Sequence, residues 1–353
     1  MPRPPTQPVP STAPGAARSK APPAPAVENP FNGIDWALFF AISIIWGASF
    51  LLIAMGLEGL TPGMVTFFRV SAGAVTLWLI RLGRRRRSSG SAVGGPIERA
   101  DWPMVILLSG LWVALPFTLF PLAQQHINSA VTGLLNGATP VFVGVISVFL
   151  HRRLPSGRQM IGIAVGLVGL VLLSLPSIQD GQSQAGGVLM VLVATVCYGF
   201  AINLAAPLQL RYGGITLMSW VLGLASVWLL PIGLRDLGAN DWRPGVVLPV
   251  AVLGVVGTGL AYWIMATLVG RVGSIRASLI TYLIPVVSLI LGVTVRDDEV
   301  APLALAGAVL IIAGAVLASR RRIEPSGPVM RPNVRTQPEM PDHRRMADHP
   351  EMQ

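Results

Sequence analysis

The stretch NGATPVFVGVISVFLHRRLPSGRQMIGIAVGLVGLVLL (residues 136–173) can be laid over TYLIPVVSLILGVTVRDDEVAPLALAGAVLIIAGAVLA (residues 281–318) without a gap. Pro140 falls on Pro285, Gly162 on Gly307 and Gly169 on Gly314, each pair 145 residues apart (285 − 140, 307 − 162, 314 − 169). Ser129 and Ser274, just upstream, keep the same offset. Each copy runs from a Pro-containing apolar stretch through a short charged interruption into a Gly-spaced apolar one. The interruptions differ in sign: HRRLPSGR (151–158) is basic and VRDDE (295–299) mostly acidic. Further upstream, Trp46-Gly47 corresponds to Tyr198-Gly199 at an offset of 152. The difference of seven assigns extra residues to the Arg-rich segment 81–101 of the first copy.

Composition says what such a repeat can be. Of the 353 residues 52% are apolar and 12% charged, and the mean hydropathy is +0.64. The charges cluster between apolar runs of about 18–23 residues, the length a helix needs to cross hydrocarbon. Ten such spans are predicted, roughly 36–56, 62–80, 103–121, 128–150, 159–176, 187–205, 214–233, 247–267, 275–295 and 302–319. All should be helical, because an open sheet edge cannot be satisfied in lipid. The expected fold is therefore an all-α membrane protein of ten transmembrane helices. Residues 1–35 and 320–353, polar and Pro-rich, are expected to be disordered tails, and the first lacks the apolar core of a signal peptide. The one cysteine, Cys197, excludes an intrachain disulfide.

The net charge of +10 speaks to orientation rather than to nucleic acid, since much of it sits in short loops beside apolar runs. With the N-terminus in the cytoplasm, the inner loops hold Arg81, Arg84, Arg85, Arg86, Arg87, Arg99, Arg152, Arg153, Arg158, Arg211 and Arg271, and Arg320, Arg321 and Arg322 begin the tail. The outer loops then hold Arg235, Arg243 and Arg296. Both termini are thus expected in the cytoplasm, in the cell membrane. Ten spans divide into two fives, 36–176 and 187–319. An odd number of spans per repeat turns the second copy over, an arrangement recurrent in secondary transporters, whose sites lie near the midplane between the halves.

The motifs resemble a known family. WGASFLLIAMGL (46–57) followed by PGMVTFFRVSAGAV (62–75) is similar to the first two helices of EamA-type members of the drug/metabolite transporter superfamily. SAVTGLLNGATPVFVGVISVFL (129–150) resembles the fourth helix, and GTGLAYWIMATLVGRVGSIRASLITYLIPVVSLILG (257–292) the eighth and ninth. The resemblance spans about residues 36–320. It implies two inverted five-helix repeats around a central cavity, and exporters or exchangers of amino acids, small metabolites or drugs. The family often carries LGE after its fourth and ninth helices; here those places read LHRR (150–153) and VRDDE (295–299).

Polar groups within spans mark candidate sites, because burying one unpaired in hydrocarbon is costly. Arg69 lies roughly 10 Å into the second span at the helical rise. It reads either as an anion-attracting group at the cavity or as an architectural Arg bonded to backbone carbonyls. Asn136 and Thr139 belong to a small-polar stripe on the fourth span, matched by Ser278 and Thr281 on the ninth. Such stripes serve helix packing or a cavity wall. Pro140 and Pro285 would free carbonyls or provide hinges for rocking. Trp46, Tyr198, Asn203, Tyr262 and Tyr282 lie inside spans, where they would line a cavity for a flat or amphipathic solute or pack the bundle.

None of the ten assigned spans contains Asp or Glu, which argues against coupling through an intramembrane carboxylate. No cofactor or metal site is expected: there is no HExxH motif, no zinc-ligand spacing and no Ser–His pair within the spans. A membrane enzyme or sensor is the alternative reading and lacks a motif. The expected partners are a small organic solute and membrane lipid, the latter contacted by the RRRR run (84–87), and a homodimer is compatible. Replacing Arg84–Arg87 by Gln should weaken or invert insertion, measured by accessible-cysteine labelling of the termini. Unchanged orientation would remove the run as the dominant topogenic element.

Overall fold

The computed structural model describes residues 32–87, 95–152, 156–235 and 237–319. The proposed tails at 1–31 and 320–353 lie outside the described residues. Among the described residues all regular structure is helical, and eight helices are long and apolar enough to cross a membrane. They are α1 (Gly33–Gly56), α2 (Pro62–Arg87), α3 (Arg99–Ala123), α4 (Ser129–His151), α5 (Gly157–Gln179), α6 (Gln182–Tyr212), α7 (Gly214–Arg235) and α8 (Pro244–Val272). Two shorter apolar helices follow, α9 (Ile280–Arg296) and α10 (Pro302–Ser319).

Local chemistry sets the helix ends. Asn32 and Asp35 form a reciprocal capping box at 3.0 Å in both directions, which starts α1 at Gly33. Residues 33–35, expected in the tail, are therefore helical. The same cap brings an acid into a helix: Asp35 is buried and pairs with Arg271 at the end of α8 (2.5 Å). Asp101 lies in the first turn of α3 and accepts from Arg211 and from the Tyr212 hydroxyl (both 2.5 Å). Both acids lie just outside the predicted spans 36–56 and 103–121, in helices that start earlier than predicted.

Four helices are irregular inside. α4 breaks at Gly137-Ala138, where Pro140 supplies no N–H for the Asn136 carbonyl. The Thr139 hydroxyl donates to that carbonyl instead, at 2.7 Å. α9 is shorter than predicted because its ladder breaks at Ser278-Leu279, leaving a single turn, Ser274–Ala277, ahead of it. There the Thr281 hydroxyl donates to the Ser278 carbonyl, also at 2.7 Å. α3 and α8 each hold a π-helical segment, Ser109–Ala114 and Val255–Leu260. Their starts are 146 residues apart (255 − 109). The charged interruptions also share a conformation: Arg152 (φ 49°) and Asp297 (φ 54°), 145 residues apart (297 − 152), end α4 and α9 in the left-handed region.

Glycines bring the helices together. A Cβ on Gly162 would lie 2.5 Å from the Ala318 nitrogen and 2.6 Å from the Gly314 oxygen, and one on Gly169 would lie 2.6 Å from the Gly307 oxygen. The pairings 162–314 and 169–307 make α5 and α10 antiparallel, backbone against backbone. Such close approach is the main source of helix association in lipid, where no hydrophobic gain exists between helices. Gly47 seats α1 on Ile284 and Val287 of α9, and Gly199 seats α6 on Phe142 and Ile146 of α4. Gly307→Val should separate α5 from α10 and cost about 2 kcal/mol, within the usual range for overpacking. Thermal unfolding in detergent checks this; an unshifted midpoint would show that the contact is dispensable.

Candidate functional site

The middle of the bundle is organised by Arg69. α2 and α8 cross on glycines: a Cβ on Gly73 would fall 2.6 Å from Thr258, and one on Gly254 would fall 2.9 Å from the Arg69 carbonyl oxygen. This proximity brings Arg69 to the π segment of α8. Its Nε–H donates to the Thr258 hydroxyl (3.1 Å), which in turn donates to the Leu253 carbonyl five residues back (3.1 Å). A π turn displaces one carbonyl from the regular ladder, and Thr258 repairs it while offering its oxygen to the cation.

On the other side the guanidinium lies over the Phe117 ring, 3.9 Å from its centroid. Phe117 is itself held from α2. Pro121 has no N–H for the Phe117 carbonyl, and the Thr66 hydroxyl donates to it at 3.0 Å. Tyr198 and Tyr262 bring their phenols close to Arg69. Among the described residues no carboxylate pairs with Arg69, although it is only 6% exposed. Its terminal nitrogens make no hydrogen bond among those residues. A desolvated cation–π contact contributes about 2 kcal/mol, far below the cost of an uncompensated buried charge.

Two aromatic pairs flank this cation. Trp46 of α1 meets Tyr262 of α8 edge to face at 5.8 Å, and Tyr198 of α6 meets Phe120 of α3 at 6.0 Å. Trp46, Tyr198 and Tyr262 keep part of their surface accessible although they lie mid-helix. The structure therefore gathers four predicted residues, Trp46, Arg69, Tyr198 and Tyr262, around one centre. Asn136 and Thr139 stand at the break in α4, and Pro285 packs against Gly137 of that break: a Cβ on Gly137 would lie 2.7 Å from its ring.

The remaining predicted residues make other contacts. Asn203 donates from Nδ2 to the Val143 (3.1 Å) and Gly199 (2.8 Å) carbonyls, tying α6 to α4. The Tyr282 hydroxyl donates to the Ala315 carbonyl (3.0 Å), tying α9 to α10. Thr258, Thr66 and Phe117 went unnoticed in the sequence. A threonine in a Gly-rich apolar run was a detectable signal for Thr258; Phe117 resembles any other apolar residue until α2 is placed beside it. No group of His, Cys, Asp and Glu able to hold a metal occurs among the described residues.

Thr258→Val should leave the Arg69 Nε–H unsatisfied and cost about 1.5–3 kcal/mol, as for a hydrogen bond to a charged group. Thr258→Ser should restore the midpoint of thermal unfolding; equal midpoints for Val and Ser would show that the hydroxyl is not used.

The EamA-like transporter family matches the chain twice, over residues 34–175 and 185–320. An uncharacterized transporter of Archaeoglobus fulgidus is 26% identical over 291 residues, 81% of this chain and 99% of its own. A probable terminal-alkyne amino-acid exporter of Streptantibioticus cattleyicolor is 26% identical over 292 residues, 82% of this chain and 94% of its own. A probable amino-acid metabolite efflux pump of Escherichia coli is 24% identical over 306 residues, covering 79% and 93%. One solved crystal structure shares the fold with a TM-score of 0.56 at 19% identity, over 82% of this chain and 97% of that one. Two matched copies that together cover most of a multi-pass helical chain leave one conclusion: this protein is a membrane transporter of the EamA-like transporter family.

Proposed function

We propose that the protein is a secondary transporter, an exporter or exchanger, that moves small organic solutes by alternating access around the Arg69 centre. The observation that carries the reading is a buried guanidinium with accessible aromatic neighbours and no carboxylate partner among the described residues. A solute with an anionic group supplies the missing countercharge, and Trp46, Tyr198 and Tyr262 contact its flat or apolar body. Two relatives carry amino-acid export in their names, and amino acids and related metabolites fit a site with one cation and an aromatic wall. Asn136 and Thr139 border the path, Pro140 and Pro285 serve as hinges, and Asn203 and Tyr282 support the wall through their neighbours.

The architecture proposed for this motion is two inverted five-helix repeats, 36–176 and 187–319, with α9 and α10 completing the ten spans. An 18-residue α10 is about 27 Å long at 1.5 Å per residue, close to the hydrocarbon thickness. Support comes from reciprocal features: the paired π segments, the paired left-handed caps and the exchanged glycine contacts of α5 and α10. Arg271 also answers His126 at the 145 offset (271 − 126). Arg271 ties α8 to α1 through Asp35, and His126 ties α3 to α6 through Ser183 (2.7 Å). Both termini are proposed to face the cytoplasm in the cell membrane, with lipid at the RRRR run and a homodimer as the compatible assembly.

Metabolite profiling of a deletion strain against an overexpressor identifies the solute. Arg69→Gln, Asn136→Ala and Tyr262→Ala should then lower its transport in proteoliposomes, Arg69→Gln by about tenfold or more for one lost charged hydrogen bond, at unchanged membrane levels. Full activity in all three would remove the site. With no acid in the helix middles, a proton gradient alone should not drive uphill uptake; strong uptake in a pH jump would contradict this.

A further inference from the structure

We propose that Asp298 is a latch that holds the outer end of the transporter shut. The sign change between residues 151–158 and 295–299 puts the carboxylate that makes the latch in the second repeat. The word "outer" rests on the orientation proposed above; the contacts themselves do not.

The latch begins with the left-handed turn at Asp297. The Asp298 N–H reaches back six residues to the Gly292 carbonyl (3.1 Å), which the Asp297 N–H also meets, and the chain folds over the end of α9. Asp298 Oδ2 then accepts from the Ser129 hydroxyl (2.5 Å) and the Ala130 N–H (2.9 Å) in the first turn of α4. An anion there is favoured by the helix dipole as well as by the two donors. Asn128 Nδ2 donates to the Glu299 carbonyl (2.7 Å), and Arg296 pairs with Glu58 of the α1–α2 loop (2.6 Å). Three loops are thus held together above a recess of about 210 Å³ lined by Glu58, Gln124, Asn128, Ser129, Arg296 and Asp298, among others.

Beneath the latch α4 and α9 are zipped without room for a solute. A Cβ on Gly292 would lie 2.8 Å from that of Ala130, one on Gly133 would overlap the Ser288 side chain, and one on Gly137 would meet Pro285. Past these positions the helices diverge, α4 onto α6 through Asn203 and α9 onto α10 through Tyr282. Positions 145 residues apart therefore have unlike surroundings. Ser129 is 3% exposed, whereas Ser274 is exposed; Gly133 is buried, whereas Ser278 is exposed.

The charge reversal removes the carboxylate from the equivalent position of the first repeat. By sequence register the counterpart of Asp298 is Arg153 (298 − 145), which lies outside the described residues. A guanidinium has no acceptor, so it cannot take hydrogen bonds from a serine hydroxyl and a backbone N–H as Asp298 does. In this arrangement the outer end is closed, and outward opening requires the Asp298 bonds to break.

The experiment uses the full chain with Cys197→Ala, and spin labels at the exposed positions Gln125→Cys and Glu299→Cys on the two latched loops. Pulsed dipolar spectroscopy in liposomes should give one short distance for the parent. Asp298→Ala removes both charge-assisted hydrogen bonds and should raise the ratio of separated to closed populations about tenfold or more. Ser129→Ala should shift it in the same direction, and carries the test if Asp298→Ala does not fold. Distances unchanged from the parent in the Asp298 or Ser129 variant overturn the proposal. Impermeant maleimide labelling at Gln125→Cys tests sidedness separately: reaction only from the cytoplasmic side would invert the orientation and leave the latch standing.

Discussion

Hydrocarbon offers a peptide group no substitute hydrogen bond, so every interruption of a helix here must be repaired from within the protein. That constraint accounts for the placement of the hydroxyl side chains that matter most. Thr139 repairs the carbonyl released by Pro140, Thr66 the one released by Pro121, and Thr258 the one displaced by the π turn of α8. The last two repairs sit on either side of Arg69. The residues that keep the backbone satisfied thus also hold the cation and the ring beneath it, and helix irregularity and site geometry are one structure.

Packing follows a second consequence of the same solvent. With no hydrophobic gain between helices, contact depends on how closely backbones approach. Glycines at 162, 169, 307 and 314 join α5 to α10, and glycines at 73 and 254 set α2 against α8 so that Arg69 reaches Thr258. The α5–α10 pair is a rigid edge, while α4 and α9 touch along only part of their length. In the proposed alternating-access motion, the partly zipped pair is the element that rearranges.

The charged interruptions join topology to conformation. The basic copy suits a cytoplasmic loop under the positive-inside rule, and the acidic copy is free of that demand. Freedom from it leaves Asp298 available to bond the start of α4. In the proposed orientation, the topogenic signal of one half and the proposed latch of the other grow from equivalent positions, each beside a left-handed residue.

Much of this was legible in the sequence, because its cause is local or periodic. Apolar runs of bilayer length dictated helices, and the 145-residue offset marked equivalent positions. WGASF, FFRVSAG and ATPVF carried the family. Trp46, Arg69, Tyr198 and Tyr262 stood out because a polar or aromatic group deep in an apolar run needs a partner. What the tertiary structure decided was who those partners are. Thr258 and Phe117 meet Arg69 across about 189 and 48 residues of chain (258 − 69, 117 − 69), separations that no periodicity encodes. Asn203 and Tyr282 have the same residue types as a cavity wall, yet their donors go to carbonyls of neighbouring helices. In the sequence Asp298 is one acid of the VRDDE interruption, and the fold brings it to Ser129. Hydropathy and offset determine which segments span and which positions correspond; the close crossings of glycine-lined helices decide which side chains meet, because a hydrogen bond acts over about 3 Å and only packing sets that distance.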